Sequence, residues 1–166
     1  MGEFLNDLFI NYIQIKMNES ITKQALPSEE YIKLLGIALC VFNSNNAFVI
    51  ENILNNKGKH QYDWYDLIDT TSGSKMMKFA IKNTITENSD DKIANLFEEL
   101  CDKRNRIIHG FQITSNGEQI LATKEKETNR QFIITEDYLI DFIKENDCLS
   151  TMLDEFRSFN PNCNHK

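Results

Sequence analysis

An arginine, an asparagine and a histidine fall within six residues at Arg104, Asn105 and His109, and together they have the chemistry that cleavage of a phosphodiester requires. RNA breaks its own backbone when a 2′-hydroxyl loses its proton and attacks the adjacent phosphorus. That step needs a base, an acid for the departing 5′-oxygen and positive charge on the phosphorane. His109 suits either proton transfer, because an imidazole with a pKa of about 6.5 exists in both forms at neutral pH. Arg104 offers a permanent cation with two-pronged geometry toward phosphate oxygens. Asn105 suits orienting His109 or hydrogen-bonding the phosphate. Lys103 and Arg106 flank these residues and are candidate substrate contacts. The chemistry calls for no metal and no cofactor.

These residues close a stretch of helical periodicity. From Asp91 to His109, Ile93, Leu96, Phe97, Leu100, Cys101, Ile107 and Ile108 share one face of a helical wheel, and Arg104 falls in the middle of it. An arginine centred on an apolar stripe is anomalous, since Arg is rarely buried without a partner. An internal carboxylate, a route to the surface or an anion site would each satisfy it. Asn105 and His109 lie at i and i+4 on one helix edge, whereas Arg104 and His109 are five residues apart and about 140° around the helix. Either the last turn unwinds before Gly110, or a second copy of the helix completes the site.

Other chemically capable residues carry less. His60 reads as a surface histidine. Asn46 and Glu51 are candidates for lining the site, with a solvated helix position as the alternative. Trp64 and Tyr65 could stack on bases, although an aromatic cluster beside a short helix more often belongs to a core. Cys163 and His165 lie too isolated in a polar tail to form a metal site. Cys40, Cys101 and Cys148 fall in apolar helical patterns with no CxxC pair and are read as free thiols.

The elements that must position this segment are mostly helical. Residues 1–26 read as an N-terminal helix, with Phe4, Leu5, Leu8, Phe9, Tyr12 and Ile13 recurring every three or four residues. Ser28 is a suitable N-cap, followed by Glu29 and Glu30 at the positive end of a helix dipole. The helix it opens meets Asn43-Ser44-Asn45-Asn46, poor helix formers that predict a kink or a break. A short turn around Tyr62 to Ile68 follows, then a helix opened by Ser74, then the motif helix capped by Ser89 or Asp90 and stopped by Gly110. Beyond it the period changes to alternation, and Asn116-Gly117 between two short runs predicts a hairpin. Phe132 to Ile134 suits a third strand, and Thr135 opens a final helix. Residues 160–166 are polar and expected to be disordered. The expectation is one mainly α domain over 1–166, a bundle of about five helices with a β-hairpin or three-stranded insertion at 110–134 before the last helix.

Composition narrows the function classes. With 166 residues, 41% hydrophobic and 26% charged, the chain belongs to ordinary globular proteins and has room for a single core. A formal net charge of -7 argues against binding nucleic acid through a broad basic surface, so any such contact must be local. No run approaches the roughly 20 consecutive apolar residues of a membrane span, and no leader pattern opens the chain, so a cytoplasmic protein is expected.

An arginine, a polar residue directly after it and a histidine four to six positions on, at the end of a helix in a helical domain, resembles the motif of the HEPN superfamily. Here it stands as Arg104-Asn105-Arg106-Ile107-Ile108-His109 followed by Gly110, and the chain from about Ser28 to Phe156 looks like that domain with a β insertion. The resemblance implies a homodimer through the motif helix, a composite site between the copies and metal-independent endoribonuclease activity on RNA. Such domains often act as toxins with an antitoxin partner or in phage defence. Some are instead non-catalytic interaction modules that bind a protein or a nucleotide, and a helical regulator binding a small anion at Arg104 is a further reading of the same residues.

Overall fold

In the computed structural model, residues 21–56, 62–85 and 91–159 are described. Residues 1–20 of the expected N-terminal helix, His60, the Ser89 and Asp90 caps and the tail with Cys163 and His165 lie outside them; of residues 21–26 only Ile21 is helical, so that helix does not extend to 26. Helix α1 spans Glu29–Asn55, opened by the Ser28 side chain accepting from the Tyr31 N–H at 3.2 Å. Short helix α2 (Trp64–Asp69) and helix α3 (Lys75–Thr84) follow, capped by the side chains of Asp63 and Ser74. Helix α4 (Lys92–Ile108) carries the motif and has Asp91 at its N-cap without a side-chain cap bond. Strands β1 (Phe111–Ser115), β2 (Glu118–Lys124) and β3 (Gln131–Ile134) come next, and α5 (Glu136–Phe159) closes the described chain. The mainly helical class and the three-stranded insertion before the last helix are as the sequence implied.

Helix α1 runs unbroken through the Asn43 to Asn46 segment. Its weak helix formers are compensated by tertiary hydrogen bonds. The Asn45 amide donates to the Asn146 carbonyl at 2.6 Å and to Asn146 Oδ1 at 3.1 Å, and Asn146 donates to the Phe142 carbonyl at 2.8 Å. Both asparagines are buried, where an unmade bond is expensive, so the pair fixes the register of α1 on α5, its chief neighbour. An 18-residue window of α1 reaches a mean hydropathy of 1.4, enough to cross a membrane by length and composition alone. In this fold Tyr31, Ala38, Phe42, Val49, Ile50 and Ile53 of α1 are buried in the core.

Two other readings need correction. The α2 aromatics do not close the core: Trp64 and Tyr65 are exposed, and Leu67 is the residue that inserts. Of the three helical cysteines only Cys101 is buried, while Cys40 and Cys148 are exposed; all three are free.

The sheet runs antiparallel in the order β1-β2-β3. Asn116 (φ 53) and Gly117 (φ 84) form its first turn in the left-handed region, as an Asn-Gly hairpin turn demands. Tyr31 of α1 clamps the sheet to the bundle, its hydroxyl donating to the Ile134 carbonyl at 2.8 Å and accepting from Leu121 N–H at 3.4 Å. That places Ile134 and Leu121, which are register partners, toward the core. The alternate residues Phe111 and Ile133 both pair with Ala122 and stay exposed.

The asparagine clamp makes a measurable claim. Asn45→Ala, which leaves two buried oxygens of Asn146 without their donor, should cost about 1–3 kcal/mol in urea unfolding. In a double-mutant cycle with Asn146→Ala the two losses should fall short of adding by about 1 kcal/mol. Full additivity would show that the bond does not couple the helices.

Candidate active site

Helix α4 stays regular to its end. His109 is its C-cap (φ -94, ψ 15), its N–H donating to the Asn105 carbonyl at 3.0 Å, while Gly110 N–H bonds the Ile107 carbonyl at 3.2 Å. Of the two possibilities left open by spacing, unwinding of the last turn is the one this geometry removes. A Cβ added at Gly110 would lie 3.1 Å from the Ile107 carbonyl oxygen and 3.3 Å from that of Ala122. The glycine therefore lets β2 close against the helix terminus. Arg106 reinforces that contact, donating from Nη1 to the Lys124 carbonyl at 2.8 Å.

Among the described residues Arg104 has no carboxylate partner. Its guanidinium lies over the Phe42 ring of α1, Cζ 4.9 Å from the centroid, and it makes no hydrogen bond or ion pair with the described residues. Its Nε is buried and lacks a hydrogen-bond partner. The anomaly in the apolar stripe is thus met by a cation–π contact, worth about 0.5–2 kcal/mol according to desolvation. Phe42 is itself held by two further rings, stacked with Phe97 of α4 at 6.3 Å and with Phe142 of α5 at 6.2 Å.

The remaining candidates divide. Asn105 is half-buried and His109 exposed. Lys103 is occupied, its ammonium held by both oxygens of Glu145 on α5 at 2.5 and 2.6 Å. Glu51 is exposed and faces Arg157 of α5 at 3.5 Å. Asn46, one turn along α1 from Phe42, has a buried Oδ1 without a hydrogen-bond partner. Cys101, one turn before Asn105, is buried, and desolvation pushes its thiol up to about 12 despite the nearby Arg104 cation. Desolvation also raises the Tyr138 hydroxyl to about 12, with the Glu145 carboxylate adding to the effect.

One cavity of about 200 Å³ lies between α3 and α4, and another of about 320 Å³ between α1 and α5. The motif residues line neither. Among the described residues no three His, Cys, Asp or Glu side chains gather as a metal-binding group. Phe42 was invisible as a site residue in the sequence, because an aromatic in an apolar helical stripe reads as core, and here it is core and seat at once. No family model, curated protein or solved structure matches this chain.

Two outcomes follow from this geometry. Arg104→Met keeps the stem of the side chain and removes a buried donor that lacks a partner, so circular dichroism should show an unchanged fold with Tm about 2–4 °C higher. A marked loss of Tm would make Arg104 a structural anchor. Iodoacetamide at mildly alkaline pH should label Cys40 and Cys148 and spare Cys101, as peptide mass spectrometry would show. Early labelling of Cys101 would contradict its burial.

Proposed function

We propose that this chain is a HEPN-class endoribonuclease that cleaves RNA by attack of the 2′-hydroxyl on its own phosphate, as a homodimer through the motif helix. The observation that carries the reading is the state of Arg104. It is a half-buried cation, set over an aromatic face, without a neutralising carboxylate among the described residues, and placed on the helix that His109 caps. A cation kept that way is suited to the doubly charged phosphorane of the transition state.

One chain supplies one histidine to the motif, whereas the reaction needs a proton acceptor at the 2′-oxygen and a donor at the 5′-oxygen. On a regular helix Arg104 and His109 also diverge by about 140°. A two-fold pair of α4 helices answers both needs, bringing in a second His109 and a second Arg104. Exposed apolar residues support such a contact: Ile108 precedes His109, Phe111 opens β1 two residues after it, and Ile133 lies across β2 from Phe111. In this reading one His109 takes the 2′-hydroxyl proton, the other protonates the leaving 5′-oxygen, and the products are a 2′,3′-cyclic phosphate and a 5′-hydroxyl. The chemistry uses these side chains alone, without metal, in a cytoplasmic toxin or defence effector.

The alternative, a non-catalytic module that dimerises and binds a protein or nucleotide, draws support from Lys103 and Arg106. Both are engaged within the chain, which leaves few free cations to grip RNA on a molecule of net charge -7.

Purified protein should cut single-stranded RNA in EDTA and leave 2′,3′-cyclic ends. His109→Ala and Arg104→Ala should each abolish cutting while light scattering still reports the dimer. Cleavage that requires an added divalent metal would sink the mechanism, and a strict monomer that cuts at full rate would sink the shared site. An intact dimer that cuts no RNA would favour the module.

A further inference from the structure

We infer that Phe42 is a positioning residue of this site, holding the Arg104 guanidinium in one plane and leaving only its outer edge to the phosphate; this rests on the ribonuclease reading above. The ring lies under Cζ at 4.9 Å. It cannot tilt freely, because Phe97 packs nearly parallel to it at 7° and Phe142 at 21°. A planar cation over a fixed ring keeps a fixed plane of its own.

A guanidinium can meet a phosphate side-on, through Nε and one terminal nitrogen, or end-on, through its two terminal nitrogens. Here Nε is buried, so the side-on edge is closed and the end-on edge remains. Two parallel hydrogen bonds from the terminal nitrogens then grip two non-bridging oxygens of one phosphate. The ring performs the orienting task that a carboxylate performs in most buried arginine sites. Unlike a carboxylate it brings no negative charge, so it does not compete with the substrate for the cation.

The α1 helix therefore takes part in the chemistry without touching the substrate. Removing the ring face should let the guanidinium rotate and open Nε to water, and the penalty should fall on kcat, since the contact matters most where charge develops.

The test compares Phe42→Leu with Phe142→Leu. Both trim one buried ring of the same stack, and only the first touches Arg104, so the second controls for loss of core packing. In ¹⁵N-labelled wild type and in Phe142→Leu, the Arg104 Nε–H resonance should be slow to exchange and shifted upfield by the ring. It should move on titration with inorganic phosphate. In Phe42→Leu the ring shift and the slow exchange should vanish, and phosphate should perturb the signal far less. Phe42→Leu should also lower kcat for RNA by about 10- to 100-fold, with the smaller part of the change in KM. Equal kcat losses in the two variants at equal Tm, or a ring-shifted signal that survives in Phe42→Leu, would overturn the positioning role. Wild-type protein that cuts no RNA would defeat the ribonuclease reading alone, because the phosphate titration judges the seat without cleavage.

Discussion

Arg104 on the face of Phe42 is the contact on which the candidate site depends. An arginine in an apolar stripe has to be stabilised somehow, and the three ways differ in what they leave behind. A carboxylate stabilises the charge most and cancels it. A water-filled route preserves the charge and gives no orientation. An aromatic face stabilises it by a smaller amount, about 2 kcal/mol at most when desolvated, and leaves both its sign and a defined plane. Here the third solution is used, and it recruits three helices, because Phe42, Phe97 and Phe142 come from α1, α4 and α5 in turn.

Keeping that cation unclaimed is a demanding condition in an acidic protein. Asp and Glu number 25 against 18 Lys and Arg, so a free guanidinium has many potential partners. Three carboxylates on the helices are taken by other cations: Glu145 by Lys103, Glu98 by Lys78 and Glu51 by Arg157. Lys103 directly precedes Arg104 and points its charge to Glu145 on α5. The side chains of these pairs are about a third to a half exposed, and solvated pairs of this kind contribute little to stability. Their consequence is electrostatic allocation, since a carboxylate already bonded to a lysine is a weaker competitor for the neighbouring arginine.

The parts of this architecture that were legible in the sequence are those set by local rules. Helix periodicity gave the motif helix and its stop at Gly110, Ser28 and Ser74 gave the starts of α1 and α3, and Asn-Gly gave the hairpin. The anomaly of Arg104 was also legible, because a charge in a stripe is visible on a wheel. Its solution was not, since Phe42 lies far away in the chain and its type fits a core role equally well. The same holds for Asn43 to Asn46. Local propensity predicts a break there, and only the distant Asn146 explains why the helix continues. Lys103 likewise reads as a free cation until Glu145 is placed beside it. Long-range pairing decided each miss, and no local pattern encodes it.

The β insertion bears on the site through the end of α4. A loosened last helical turn would let a single chain bring Arg104 and His109 to one atom. Three features hold it shut: the Asn105–His109 backbone bond, the Gly110–Ile107 bond, and the Arg106 side chain tied to the Lys124 carbonyl of β2. Unwinding would break all three and part the helix from a strand that approaches Gly110 closely enough to crowd an added Cβ. The sheet therefore acts as a clasp on the motif, holding Arg104 and His109 on faces about 140° apart. With the clasp closed, convergence of the two groups on one phosphate has to come from outside the single helix. In the proposed ribonuclease, a strand insertion that holds these two groups apart would make assembly with a second copy the condition for chemistry, and would couple activity to concentration and to whatever occupies the end of α4.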